Sequence, residues 1–116
     1  MNRGDVILVR FPHPSGIRGK KRPAVVVQAD SYNQTIRTVV VAEVTKNVAM
    51  AGDSACLLID VGAPDGMGTG LQRNSVVSCL LLATIDRDRV DQVLGTLSAA
   101  MNRSLNDCLK AAFGLP

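Results

Sequence analysis

"GKKRPAVVVQAD", residues 19–30, packs Lys20, Lys21 and Arg22 against a proline and a run of valines. The valines read as a strand, and Pro23 is tolerated because it falls at the strand's first residues. Proline locks its own φ and biases Arg22 toward extended backbone, so Arg22 is held more rigidly than the two lysines. A strand entrance needs no such charge. A fixed guanidinium can grip a phosphate through two parallel hydrogen bonds, and mobile lysines add sequence-independent attraction to a phosphate backbone. An arginine closing a sheet edge with a nearby aspartate is the alternative reading.

Working outward, "GDVILVRF" (residues 4–11) precedes this strand as another, and "PHPSGIRGKK" (12–21) between them is a loop by its turn residues. "DSYNQ" (30–34) is a turn or short helical bend. "TVVVAEVT" (38–45) and "ACLLIDV" (55–61) are strands, and "GAPDGMGTGLQRN" (62–74) is a second loop. "SVVSCLLLATID" (75–86) is long for one strand and is expected to bend near Ser78. "DRDR" is a tight turn before the strand "VDQVLGTL" (90–97). The last segment changes period: Met101, Leu105, Cys108, Leu109 and Ala112 fall at helical spacing behind a Ser98 N-cap, predicting a helix over 99–113. Six short strands and one closing helix predict a mainly β, single-domain fold over 1–116, a small, partly open antiparallel barrel plus helix. Such a barrel leaves edges, which a homodimer can cover.

The 116 residues suffice for one core, burying roughly 65% of the unfolded surface. With 47% apolar residues and three aromatics, that core is aliphatic, which argues against an aromatic-stacking RNA-recognition sheet. No apolar run approaches the roughly 18 residues of a membrane span, and the start reads as a strand rather than a signal peptide, so a cytoplasmic protein is expected. Cys56, Cys79 and Cys108 are odd in number and widely spaced, as buried thiols in a reducing compartment would be. The net charge of +3 is unevenly placed: residues 1–50 carry eight basic and three acidic side chains, residues 51–116 five and seven. An anionic ligand is expected at the N-terminal half.

Other candidates for chemistry are few. Thr45, Lys46 and Asn47 put a hydroxyl, an ammonium and an amide at one strand end, a phosphate pocket in outline, although threonine is also simply a good strand former. His13, the only histidine, sits in the basic loop and titrates near neutrality. Glu43 shares a strand face with Thr45; it reads as a base, a solvated carboxylate, or a partner for Arg22 or Lys46. No metal-ligand spacing and no phosphate-binding glycine fingerprint is present, so metal-free, electrostatic catalysis without a cofactor is expected.

Taken together, "RGDV", "RPAVVVQAD", "VVVAEVT", "SVV", "TID" and "LGTLS", in this order and spacing, resemble the MazF/PemK (Kid) family of toxin endoribonucleases over nearly the whole chain. The resemblance implies an SH3-like barrel of the CcdB/MazF type with a C-terminal helix, a homodimer, and metal-independent, sequence-specific cleavage of single-stranded RNA, often mRNA. In that chemistry a ribose 2′-hydroxyl attacks the adjacent phosphate and leaves a 2′,3′-cyclic phosphate and a 5′-hydroxyl. Arg22 matches the family's catalytic arginine, stabilising transition-state charge and protonating the leaving oxygen; Thr45 matches its phosphate-binding threonine. His13, Arg18, Lys20, Lys21, Gln28, Lys46 and Asn47 are the candidate RNA contacts, although His13 does not fall cleanly on a family histidine because the loop length differs. A cognate antitoxin's acidic segment would compete at the loop 12–21.

The chain departs from the family pattern. Lys46 stands where many members have serine, and Leu80 to Ala83 replace a polar stretch. Leu80 and Ser78 occupy the acid/base positions of one branch, which leaves the general base unassigned. A catalytically weakened RNA- or antitoxin-binding paralogue is therefore an alternative. A CcdB-like gyrase inhibitor is another, although the chain lacks that group's terminal tryptophan.

Overall fold

The computed structural model describes residues 1–10 and 20–116. Six strands form one antiparallel sheet: β1 (Asp5–Arg10), β2 (Lys21–Val26), β3 (Thr38–Thr45), β4 (Cys56–Ile59), β5 (Ser75–Asp86) and β6 (Val90–Thr96). Their spatial order is β4-β5-β3-β2-β1-β6, so β4 and β6 are the two edges of an open, curled sheet rather than a closed barrel. Among the described residues three α-helices accompany it, α1 (Asp30–Asn33), α2 (Pro64–Met67) and α3 (Ala99–Phe113), with short 3-10 turns at Val48–Met50 and Arg87–Arg89.

Alternation along the strands feeds both faces, and both are apolar. On one face Val6, Val25, Ala42, Val44 and Val77 pack beneath Met101, Leu105 and Cys108 of α3. On the other, Ile7, Val9, Ala24, Val26, Val39, Val41 and Ile85 form a second cluster. Thus β-branched runs such as Val39–Val41 are continuous because neither face is left to solvent.

The terminal helix follows the expected span. Ser98 Oγ accepts the Met101 N–H at 3.1 Å. At the other end Gly114 adopts φ +67°, and Leu115 N donates to Lys110 O at 2.8 Å while Gly114 N donates to Ala111 O, a Schellman closure. Arg3 clamps the helix to the sheet, donating through Nε to Val27 O (3.1 Å) and through Nη2 to Asn106 Oδ1 (2.6 Å). No helix among the described residues is long and apolar enough to cross a membrane.

Three boundaries differ from expectation. β2 begins at Lys21 and ends at Val26, short of Ala29, because both Val27 N and Gln28 N turn to Val40 O. β4 is confined to Cys56–Ile59. The segment 62–74 is not all loop: Pro64, with its φ preset for a first helical turn, opens the short α2. The bend expected near Ser78 is a three-residue bulge. Ala42 pairs with Leu82 but Glu43 pairs with Ser78, which ejects Cys79, Leu80 and Leu81 from the ladder.

All three cysteines are buried and unpaired. Burial pushes the Cys79 thiol up to about 12, with Cys108 and Cys56 nearby adding to it. A thiol held neutral reacts poorly. The native protein should therefore label slowly with an aromatic disulfide reagent at about pH 8, whereas the urea-unfolded chain should release all three thiols at once; rapid native labelling of Cys79 would contradict its burial. Ser98→Ala should cost about 1 kcal/mol in urea unfolding through loss of the cap.

Candidate active site

The β2–β3 register pairs Ala24 with Glu43, Val25 with Ala42 and Val26 with Val41. The ladder ends at Ala24–Glu43, and just beyond it Arg22 on β2 and Thr45 on β3 both reach the end of the sheet. On its other side Arg22 is held by pairing with Val9 of β1. Arg22 is exposed, and among the described residues its guanidinium has no carboxylate partner. Thr45 Oγ1 accepts the Asn47 N–H at 3.1 Å, and Asn47 Oδ1 accepts the Ala49 N–H at 3.1 Å. These two bonds fix the exit from β3 and leave the threonine hydroxyl its own proton to donate.

Both residues line a groove of about 660 Å³, together with Lys20, Lys21, Glu43, Lys46 and Asn47. Lys21 is committed in part, since its Nζ lies 3.0 Å from Asp91 Oδ1 of β6. Lys20 and Lys46 are exposed and make no ion pair among the described residues. Five cations against one carboxylate give this groove a strongly positive lining suited to an anion. Among the described residues no group of three His, Cys, Asp or Glu side chains is arranged to hold a metal.

Gln28 stands apart from the groove. Its amide donates to Asn33 Oδ1 (3.0 Å) and Thr38 O (2.9 Å), and its carbonyl accepts the Val40 N–H (3.2 Å). It braces the α1 turn against β3. His13 and Arg18 lie outside the described residues.

The opposite wall was not anticipated. Gly70, Leu71, Gln72, Arg73 and Ser75 line the groove from the segment after α2. This segment docks backbone to backbone on β6: Thr96 N donates to Gly68 O at 3.0 Å, and a Cβ on Gly95 would overlap the Gly68 and Thr69 main chain. Gly70, at φ +73°, would likewise meet Leu94 O. Ser75 Oγ donates to Arg73 O at 2.8 Å and steadies that end. The available signal was a glycine inside a strand, which marks close backbone approach. The β5 bulge contributes Leu81, about half exposed, to the same groove.

With this geometry the class is a small curled-sheet protein carrying a cationic groove at one strand end. The profile of PemK-like, MazF-like toxins of type II toxin–antitoxin systems matches residues 2–113, and the chain belongs to that family. It is 30% identical over 115 residues to endoribonuclease MazF2 of Mycobacterium bovis, covering 94% of this chain and 96% of that protein. Its identity to the endoribonuclease MazF of Staphylococcus saprophyticus is 28%, over 99% and 92%. Its fold is similar to that of a mycobacterial endoribonuclease solved in complex with its cognate antitoxin. There the TM-score is 0.81 at 20% identity, over 100% of this chain and 97% of the other.

Gly95→Ala should displace the segment 68–73 from β6 and cost at least about 2 kcal/mol, since no flexible side chain can yield to the new methyl. Urea unfolding measures the loss; an unchanged midpoint would show that the groove wall does not depend on this contact.

Proposed function

We propose that this chain is the endoribonuclease toxin of a type II toxin–antitoxin pair, cleaving single-stranded RNA, mRNA foremost, at a short sequence motif without a metal ion. The observation that carries the reading is that Arg22 and Thr45 line one positive groove at the end of the β2–β3 ladder, Arg22 having no carboxylate partner among the described residues. The ribose 2′-oxygen attacks the adjacent phosphorus, the P–O5′ bond breaks, and the products are a 2′,3′-cyclic phosphate and a 5′-hydroxyl. Charge accumulates on the non-bridging oxygens as the fifth bond forms. Arg22, permanently charged and fixed by Pro23 and its pairing with Val9, stabilises that charge, and the Thr45 hydroxyl donates to the same phosphate. Preorganised donors of this kind supply what a metal would otherwise provide. Lys20, Lys21, Lys46 and Asn47 hold the flanking backbone.

In this reading the protein works in the cytoplasm as a homodimer, and a cognate antitoxin silences it by placing acidic side chains in the positive groove. The support for the antitoxin is the likeness to endoribonuclease–antitoxin complexes, together with the groove's charge.

Purified protein incubated with single-stranded RNA in excess EDTA should cleave it, and 5′-end mapping of the products should return one short motif. Arg22→Ala should cleave about a hundredfold more slowly or worse, and Thr45→Val should lose less. Near-wild-type cleavage by Arg22→Ala removes the assignment.

A further inference from the structure

We infer that Glu43 is the general base that takes the proton from the attacking 2′-hydroxyl. This rests on the nuclease reading above, whose resemblance-based acid/base positions are filled here by Leu80 and Ser78.

Glu43 is the single carboxylate among the described residues lining the groove. It lies two residues before Thr45 on β3, so the two side chains leave the same face. Its cross-strand partner is Ala24, which makes Arg22 its diagonal neighbour, roughly 7–8 Å away at Cα and within reach of long side chains. Arginine, threonine and glutamate therefore occupy three adjoining positions of one small patch.

Two features keep the carboxylate available. Ala24 opposite it is too small to cover it. On the other flank the β5 ladder breaks at this point: Ser78 pairs with Glu43, and the next three residues bulge away. The Ser78 hydroxyl is turned to Leu80 N rather than to Glu43. The charged groups sharing the groove are Lys20, Lys21 and Arg22 from the β2 side, Lys46 just past β3 and Arg73 from the far wall, Lys21 being paired with Asp91; β5 contributes no charge. None forms an ion pair with Glu43. A half-buried carboxylate without an ion-pair partner among the described residues, set among cations, is unusual for purely structural charge, but suits a proton acceptor beside a phosphate-binding guanidinium.

The step balances. Glu43 accepts the 2′-hydroxyl proton, the O2′–P bond forms, and the P–O5′ bond breaks. The departing 5′-oxygen is protonated by water, and Glu43 returns its proton to solvent.

The test compares wild type, Glu43→Gln and Glu43→Asp in single-turnover cleavage of an oligoribonucleotide bearing the mapped motif, between about pH 5 and 9 in EDTA. A second oligonucleotide, with 2′-deoxyribose at the cleavage position, reports binding without chemistry. Glu43→Gln should cleave at least about a hundredfold more slowly, while binding the blocked oligonucleotide as tightly or more tightly, since a negative charge has been removed. The wild-type rate should fall tenfold per unit as acid protonates the carboxylate. Glu43→Gln should lose that limb, and Glu43→Asp should keep it at a lower rate.

Glu43→Gln cleaving within about fivefold of wild type, or retaining the acid limb, overturns the assignment while leaving the nuclease intact. Weakened binding of the blocked oligonucleotide would mark Glu43 as structural and overturn it as well. A wild-type protein that cleaves no RNA overturns both readings together.

Discussion

The antiparallel pairing of β2 with β3 is the constraint on which the rest of the molecule depends. It places Val25 against Ala42 on one face and Ala24 and Val26 beside Val41 on the other, so one ladder serves two apolar clusters. Just past the last pair of the same ladder, Ala24–Glu43, Arg22 and Thr45 come to line one groove. A slip of one residue would move every valine to the wrong face, and the hydrophobic clusters therefore enforce the alignment of the polar pair. Core packing and site geometry are consequences of one alignment.

Around that ladder, each structural device has a local cause. The α3 helix covers one cluster because its apolar stripe has nowhere else to go, and its ends are closed by Ser98 and Gly114. The bulge in β5 interrupts a strand otherwise long enough to seal the region beside Glu43. The segment after α2 reaches the groove only because glycines at 70 and 95 allow two main chains to touch. The groove is thus assembled from a rigid strand pair on one side and a main-chain-docked segment on the other. Its cations are held apart at some electrostatic cost, which an anionic ligand would relieve.

Membership of the PemK/MazF toxin family makes the departures in this chain informative. Leu81, where the resemblance expects polarity, lines the groove as an apolar side chain. Leu80 has no proton to transfer, and the Ser78 hydroxyl oxygen is engaged by Leu80 N–H. Meanwhile Glu43, on the strand that carries Thr45, supplies a carboxylate within the same patch. The chemistry proposed above keeps the phosphate-binding pair and shifts the proton acceptor to the neighbouring strand position.

Much of this was legible in the sequence. Period-2 runs gave β3 and β5 their bounds, the 3.6-residue stripe with its serine cap gave α3, and the proline after Arg22 marked extended backbone at the start of β2. These features are local: they depend on φ preferences, capping and side-chain alternation within a few residues. Gln28, named among the RNA contacts, lies apart from the groove and braces the α1 turn, because a lone amide gives no sign of which backbone groups it will satisfy. Gln72, Arg73 and Leu81 were missed, and Glu43 was left among three readings. Their positions follow from contacts between segments distant in the chain, namely the docking of residues 68–73 on β6 and the slip in β5 register. The sequence by itself determined the six strands, the terminal helix and the cation that enters β2. Only the tertiary structure decided what shares the groove with it, because long-range register and main-chain contact carry no periodic signature.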